Sequence, residues 1–204
     1  MRSKLLSAIL CLLFTLPAFA QWQLSPIVGL NISKFRTSSN YSTEGFSYAY
    51  KNGLMGGLNI KYTPDNPLNI QLESTFSQKG TEHNIDDEPG RNIVDLNYID
   101  LGVIIEYPLN EIIAVNAGGS YGINVGEKYN GKNNPAGKLH NGTDYGAIGG
   151  LKFYIGKLFI RTNYYHGLNP ILEGIITDEN GVPTGDAANE YNQMFQVSIG
   201  YYFL

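Results

Sequence analysis

From Gln21 onward, apolar and polar residues take turns along the chain in runs broken by stretches rich in Gly, Asn, Asp and Pro. In LNIQLESTFSQ, Leu68, Ile70, Leu72 and Phe76 share one face of an extended backbone, while Asn69, Gln71, Glu73, Thr75 and Ser77 share the other. The last run sets Phe195, Val197, Ile199, Tyr201 and Phe203 against Gln196, Ser198, Gly200 and Tyr202. A period of two places successive side chains on opposite faces, so each run predicts a strand whose two faces meet different surroundings. Strands are predicted near 22–33, 51–63, 68–78, 93–107, 112–124, 144–155, 158–167 and 191–203. Connections around Pro64–Pro67, Pro108–Glu111 and Gly156–Lys157 are tight. Those at 34–50, 79–92, 125–143 and 168–190 are long. Short turns at one end and long loops at the other are how transmembrane barrels are built.

Either face could in principle be wet. A soluble lipocalin-like barrel buries its apolar face, and its outer wall is then well supplied with charge. Here the polar faces carry Asn, Ser and Gly instead, and the apolar faces are heavy in Tyr, Phe and Leu. That points to lipid outside and a polar, filled interior. Aromatic residues fall near both strand ends on the apolar face: Tyr62, Tyr107, Phe153 and Tyr201 by the short turns, and Phe76, Tyr121, Tyr145, Tyr164 and Tyr191 by the long loops. Amphipathic rings favour the two membrane–water interfaces.

The amino terminus sharpens this. Arg2 and Lys4 precede the apolar stretch LLSAILCLLFTL and a small-residue end at Ala18 and Ala20, the form of a secretory signal peptide over residues 1–20. The barrel domain is then 21–204. Cys11 is the sole cysteine and lies in that segment, so no disulfide framework is expected. Removing Arg2 and Lys4 leaves 12 basic against 18 acidic residues, a net charge of −6, which excludes nucleic acid as a partner.

Three stretches carry a family likeness: GLNISKF (29–35), LNIQLESTFSQKG (68–80) and LNYIDLGVIIEYPLN (96–110). With them the chain resembles the PorT-like outer-membrane β-barrel family of Bacteroides-type bacteria over essentially the whole of 21–204. The resemblance implies an all-β fold: an eight-stranded antiparallel transmembrane β-barrel with short periplasmic turns and long extracellular loops. Its motifs describe strands and turns and are poor guides to activity; some relatives are implied to serve gliding or type IX secretion machinery. Phe203 is followed by Leu204, whereas outer-membrane strands of this kind usually end on the aromatic itself.

The polar faces hold charges that a filled lumen must pair. If Gly156 and Lys157 form a two-residue hairpin of type II′, Ile155 faces Leu158 and Lys152 directly faces Arg161, both pointing inward. Like charges opposite one another destabilise a sheet. The interior phase supplies Lys61, Lys152 and Arg161 against Glu73, Asp100 and Glu106. Glu106 is expected between Lys152 and Arg161, with Asp100 or Glu73 as substitutes because strand tilt shifts depth around a barrel.

Chemistry at the rim is weakly signalled. His83 lies beside Glu82, Asp86, Asp87 and Glu88; His140 is near Asp144; His166 ends the seventh strand. A His–carboxylate set could act as a general base, but no hydroxyl nucleophile stands in a strained turn. The acidic loops, with Asp86, Asp87, Glu88, Asp178 and Glu179, lack the Asp-x-Asp-x-Asp-Gly spacing of a calcium loop and read as solvated extracellular surface. No cofactor or metal is expected. The reading is a monomeric outer-membrane barrel with a structural or interaction role, meeting outer-membrane lipid and lipopolysaccharide and, through its loops, an envelope protein or surface glycan. A small transport pore and a rim hydrolase or acyltransferase are the alternatives.

Overall fold

A computed structural model describes residues 21–38, 46–85, 92–133, 139–177 and 183–203; at 46, 84–85, 175–177 and 183–187 it describes the backbone alone. The segment 1–20, including the expected signal peptide, lies outside these residues, as does Leu204. Eleven strands form one antiparallel sheet: β1 (Trp22–Thr37), β2 (Phe46–Ala49), β3 (Lys51–Tyr62), β4 (Asn69–Ile85), β5 (Asn92–Pro108), β6 (Ile113–Tyr129), β7 (Lys132–Asn133), β8 (Thr143–Ile155), β9 (Leu158–Gly167), β10 (Leu172–Thr177) and β11 (Pro183–Tyr201). Eight of them, in the order β1-β3-β4-β5-β6-β8-β9-β11, make the wall. The register from Ile27↔Gly200 to Thr37↔Glu190 joins β11 back to β1 and closes it. Closure pairs each of the eight wall strands with a neighbour on either side, the condition for a sheet to stand in hydrocarbon.

The two faces separate as the alternation requires. Leu30, Leu54 and Val103 point outward and are 53, 61 and 56% exposed, whereas Gln71, Lys79, Glu106 and Lys152 point inward and are fully buried. An apolar exterior around a polar interior excludes the lipocalin-like arrangement. Outward aromatics at the short-turn end include Tyr107, Tyr201 and the Trp22–Tyr62 pair, whose rings are 4.8 Å apart. Phe76, Tyr121, Tyr145 and Tyr164 stand exposed toward the other end. The two girdles bound the apolar band.

Turns at the short end are as tight as the sequence suggests. Gly156 has φ +62° and no other residue of its hairpin is left-handed, which fits a type II′ turn. Ile155 then faces Leu158, and Lys152 faces Arg161.

At the opposite end the strands run further than the alternation of apolar residues indicates. Lys79–Ile85 belongs to β4, not to a loop, and stays paired with β5 as far as His83↔Asn92. Residues 125–129 continue β6, which turns at Asn130 and Gly131, both left-handed, into the two-residue strand β7. Asn-Gly is the preferred centre of a type I′ hairpin. β10 and the first half of β11 form a further hairpin across 172–190, read from sequence as loop. These extensions rise past the apolar band, so both faces can be polar and the period-two signal vanishes while the backbone ladder persists. A bulge adds to the difficulty: Asn97 pairs with Gly126 and Tyr98 with Asn124, so Val125 is an extra residue and the phase of β6 flips. Asn124 and Glu127 consequently both point inward.

Close packing of rings against the wall depends on glycine. At Gly146 a Cβ would lie 2.3 Å from the His166 carbonyl oxygen and 2.6 Å from the Tyr165 ring. Gly146→Ala is predicted to destabilise the barrel by about 1–3 kcal/mol through overpacking. The urea midpoint of the refolded protein measures this; an unchanged midpoint would contradict the packing described.

Candidate functional site

Among the described residues the lumen gathers most of the buried charged side chains, layered along the barrel axis. Nearest the short turns, Glu106 is fully buried and surrounded by donors. Its Oε1 accepts from Asn69 Nδ2 at 2.9 Å and Tyr154 Oη at 2.6 Å; its Oε2 accepts from Gln71 Nε2 at 2.6 Å. Lys152 Nζ lies 2.8 Å from Oε2 and Lys61 Nζ 3.3 Å from Oε1. Lys152 also donates to Gln71 Oε1 at 2.8 Å and to Tyr202 Oη at 3.2 Å, with its ammonium 4.4 Å from the Phe159 ring centre. Arg161 forms a bidentate fork on Glu73, one arm closing between Nη1 and Oε1 and the other, Nη2 to Oε2, at 3.0 Å. Asn59 Nδ2 donates 2.8 Å to the same carboxylate.

The opposed pair Lys152 and Arg161 is therefore resolved differently from the sequence expectation. Glu106 does not sit between them. Lys152 takes Glu106, which it shares with Lys61, and Arg161 takes Glu73. Strand tilt is the reason: Glu73 and Glu106 lie on neighbouring strands yet reach different members of the β8–β9 hairpin.

A second layer lies toward the long-loop end. Lys79 Nζ is 2.9 Å from Asp100 Oδ1 and 2.9 Å from Asp144 Oδ2. Tyr165 Oη donates 2.7 Å to Asp144 Oδ1, and Asn192 Nδ2 donates 2.9 Å to its Oδ2. The Tyr98 and Tyr165 rings flank the ammonium at 4.6 and 4.7 Å, in cation–π range. Sequence reading placed Asp100 inside but missed Lys79 and assigned Asp144 to rim chemistry. The signal was available: Lys79 continues the inward odd-numbered phase of Asn69–Ser77, and Asp144 continues the inward even-numbered phase of Lys152.

Counting both layers, Lys61, Lys79, Lys152 and Arg161 stand against Glu73, Glu106, Asp100 and Asp144, four cations to four carboxylates. The layer near the short turns has one extra cation and the other one extra carboxylate. Between them lies a cavity of about 20 Å³, bordered by Glu73, Asp100, Met55 and Gln196, space for about one water. A wider recess of about 300 Å³ opens below Lys61 and Tyr154 at the short-turn end.

Above the second layer the lumen is capped by apolar packing. Phe35, Val94, Leu96, Tyr98 and Ile171 form one buried cluster, with Tyr48 and Tyr129 packed on it. His140 joins this cap, its ring 5.4 Å from Phe35 and 6.4 Å from Tyr129. Glu127 anchors it, accepting from the backbone N–H of Leu139 and of His140 at 3.2 Å each, with His140 Nδ1 also 3.2 Å away. Lys51 and Asp95 make a further pair at 2.7 Å. His140 thus meets a carboxylate the sequence reading did not choose, inside packing that leaves the residue 5% exposed. His83 ends up on the extension of β4 and His166 at the end of β9, where the sequence placed it, rather than gathered at one site. Asp86, Asp87, Glu88, Asp178 and Glu179 lie outside the described residues. Among the described residues no group of three His, Cys, Asp or Glu side chains is placed to hold a metal ion.

A closed antiparallel wall with lipid-facing apolar residues and a lumen of neutralised charge defines a bacterial outer-membrane β-barrel. The chain belongs to the family described as Outer membrane protein beta-barrel domain, which it matches over residues 19–173. No curated protein gives a significant sequence match. Among solved structures it is similar to Ail of Yersinia pestis, crystallised with the heparin analogue sucrose octasulfate, at 14% identity and TM-score 0.49, covering 90% of this chain and 99% of that one. Neisserial surface protein A is similar at 11% identity and TM-score 0.49, covering 88% and 97%. OprG of Pseudomonas aeruginosa is similar at 11% and 0.48, covering 89% and 95%.

The pairing makes a specific prediction for a double-mutant cycle. Glu106→Gln should cost about 3–5 kcal/mol, because it strands a buried ammonium. Adding Lys152→Met should recover much of that loss, whereas adding Arg161→Met should deepen it additively, since Arg161 is paired elsewhere. Urea unfolding followed by the heat-modifiable gel shift distinguishes the two. Coupling of Glu106 to Arg161 and not to Lys152 would refute the assignment.

Proposed function

We propose that the protein is a non-enzymatic interaction barrel, monomeric, with its strand extensions and loops outside the cell and its short turns in the periplasm. The observation that carries this is the filled lumen: Arg161, Tyr98, Tyr165, Lys79, Lys152 and Phe159 cross the interior and are at most 2% exposed. Such a barrel offers its outer surface and its hairpins, not a passage. The small-pore reading would need water to run through both ion-paired layers. The rim-hydrolase reading would need a histidine open to substrate, and His140 is closed in by Phe35 and Tyr129. Partners of the matching class are an envelope protein, a surface glycan or lipopolysaccharide. The stretches GLNISKF, LNIQLESTFSQKG and LNYIDLGVIIEYPLN support placing the chain in the PorT-like branch of its family.

Two measurements test this reading. A cysteine at Lys132, exposed in the β6–β7 hairpin, should label from outside intact cells, and one at Asn66 only after the envelope is opened. The reverse result would overturn the orientation. A photo-crosslinking residue at Lys132 should give a discrete higher-mass adduct in growing cells; a ladder indistinguishable from one obtained at outward-facing Leu72 would count against a loop partner.

A further inference from the structure

The outer wall is not uniform where its apolar band ends. On β1 the outward residues Val28, Leu30 and Ile32 are lipid-facing, and the next two outward positions are Lys34 and Arg36. Two cations on one strand face are about 7 Å apart. Lys34 Nζ sits 4.7 Å over the Tyr50 ring and Arg36 Cζ 4.6 Å over Tyr191. Arg36 Nη2 donates 3.3 Å to the Gly167 carbonyl, while its Nε is buried and meets no acceptor. Among the described residues neither cation forms an ion pair with a carboxylate. The acid nearest in register, Glu190, pairs across from Thr37 and takes its bond from Tyr48, in the barrel mouth. Two oriented cations, neither ion-paired to a carboxylate among the described residues, therefore stand on aromatic platforms at the membrane boundary.

A second feature lies directly below on the same β3–β1–β11–β9 wall. Val28, Leu30, Leu54, Ile160, Val197 and Ile199 line an apolar groove of about 600 Å³ in the outer surface. Gly56, opposite Val28 in the register, faces outward there with no side chain. A pair of cations suited to a phosphate above and an acyl-sized groove beneath match one molecule at one depth of the bilayer.

We propose that this sector is a binding site for a phosphorylated glycolipid of the outer leaflet. Its phosphate is held by Arg36 and Lys34, and one acyl chain lies in the groove beneath. Arg presents a fork of donors that fits phosphate oxygens, and Lys adds a point charge. The choice of a lipid over a free anion comes from the groove. The choice of the outer leaflet rests on the orientation proposed above.

The test uses the full refolded protein in phosphatidylcholine nanodiscs doped with bisphosphorylated lipid A, dephosphorylated lipid A or phosphatidylglycerol, with retained lipid counted by native mass spectrometry after extraction. Bisphosphorylated lipid A should be retained. The Lys34→Gln, Arg36→Gln double variant should retain about tenfold less, and Gly56→Leu, which fills the groove where a Cβ has ordinary room, should also retain less. Lys128→Gln, on exposed β6, should match the wild type. All variants must keep the heat-modifiable gel shift to be compared. Equal retention by the double variant, or of dephosphorylated lipid A, would overturn the site. Displacement by millimolar inorganic phosphate alone, or preference for phosphatidylglycerol, would overturn the glycolipid assignment. Lipid A retention together with reversed labelling at Lys132 would leave the site standing and remove the orientation instead.

Discussion

Inside the wall, Lys152 and Arg161 face each other across a two-residue turn, and the placement of the other charges near that turn answers to this juxtaposition. Two cations buried in a space that small repel strongly unless each has its own acid. The strands supply Glu106 for one and Glu73 for the other. Glu106 is surrounded by Asn69, Gln71 and Tyr154 so that both oxygens are used. Half of such a network would be worse than none, because an unpaired buried charge costs more than a pair returns.

The same constraint reaches the other end. With three cations against two acids in one layer, the fold places one cation against two acids in the next. Neutrality is thus a property of the two layers together, and substitution in either alters the field in both. The wall explains why so much charge is inside at all. A sheet in lipid must turn its apolar face outward and close on itself, and eight strands enclose room for side chains and little else. Polar residues left over by the alternation have nowhere to go but against each other.

How much of this could be read from the sequence follows depth in the membrane. Within the apolar band every strand announces itself, because outward positions must be apolar; Lys152, Arg161, Glu73 and Glu106 were therefore assigned to the interior from phase alone, and the Gly156 turn gave the Lys152↔Arg161 register. Which acid meets which cation was not legible, since it depends on tilt. Above the band the requirement for apolar outward residues lapses. Lys79 was lost to a supposed loop for that reason, although β4 continues past it. Glu127 was hidden by the bulge at Val125, which turns it inward against the phase of the residues before it. Asn130–Gly131 is a hairpin dipeptide on its own, but its flanks, Glu127-Lys128-Tyr129 and Lys132-Asn133, do not alternate and carry no strand signal.

The central proposal is that paired charges fill the lumen and close it to the passage of solutes. Single-channel recording of the purified, refolded protein in a planar bilayer tests that most directly. The account predicts a silent baseline without a sustained open level. A stable open step of the size given by a wide water-filled porin would contradict it.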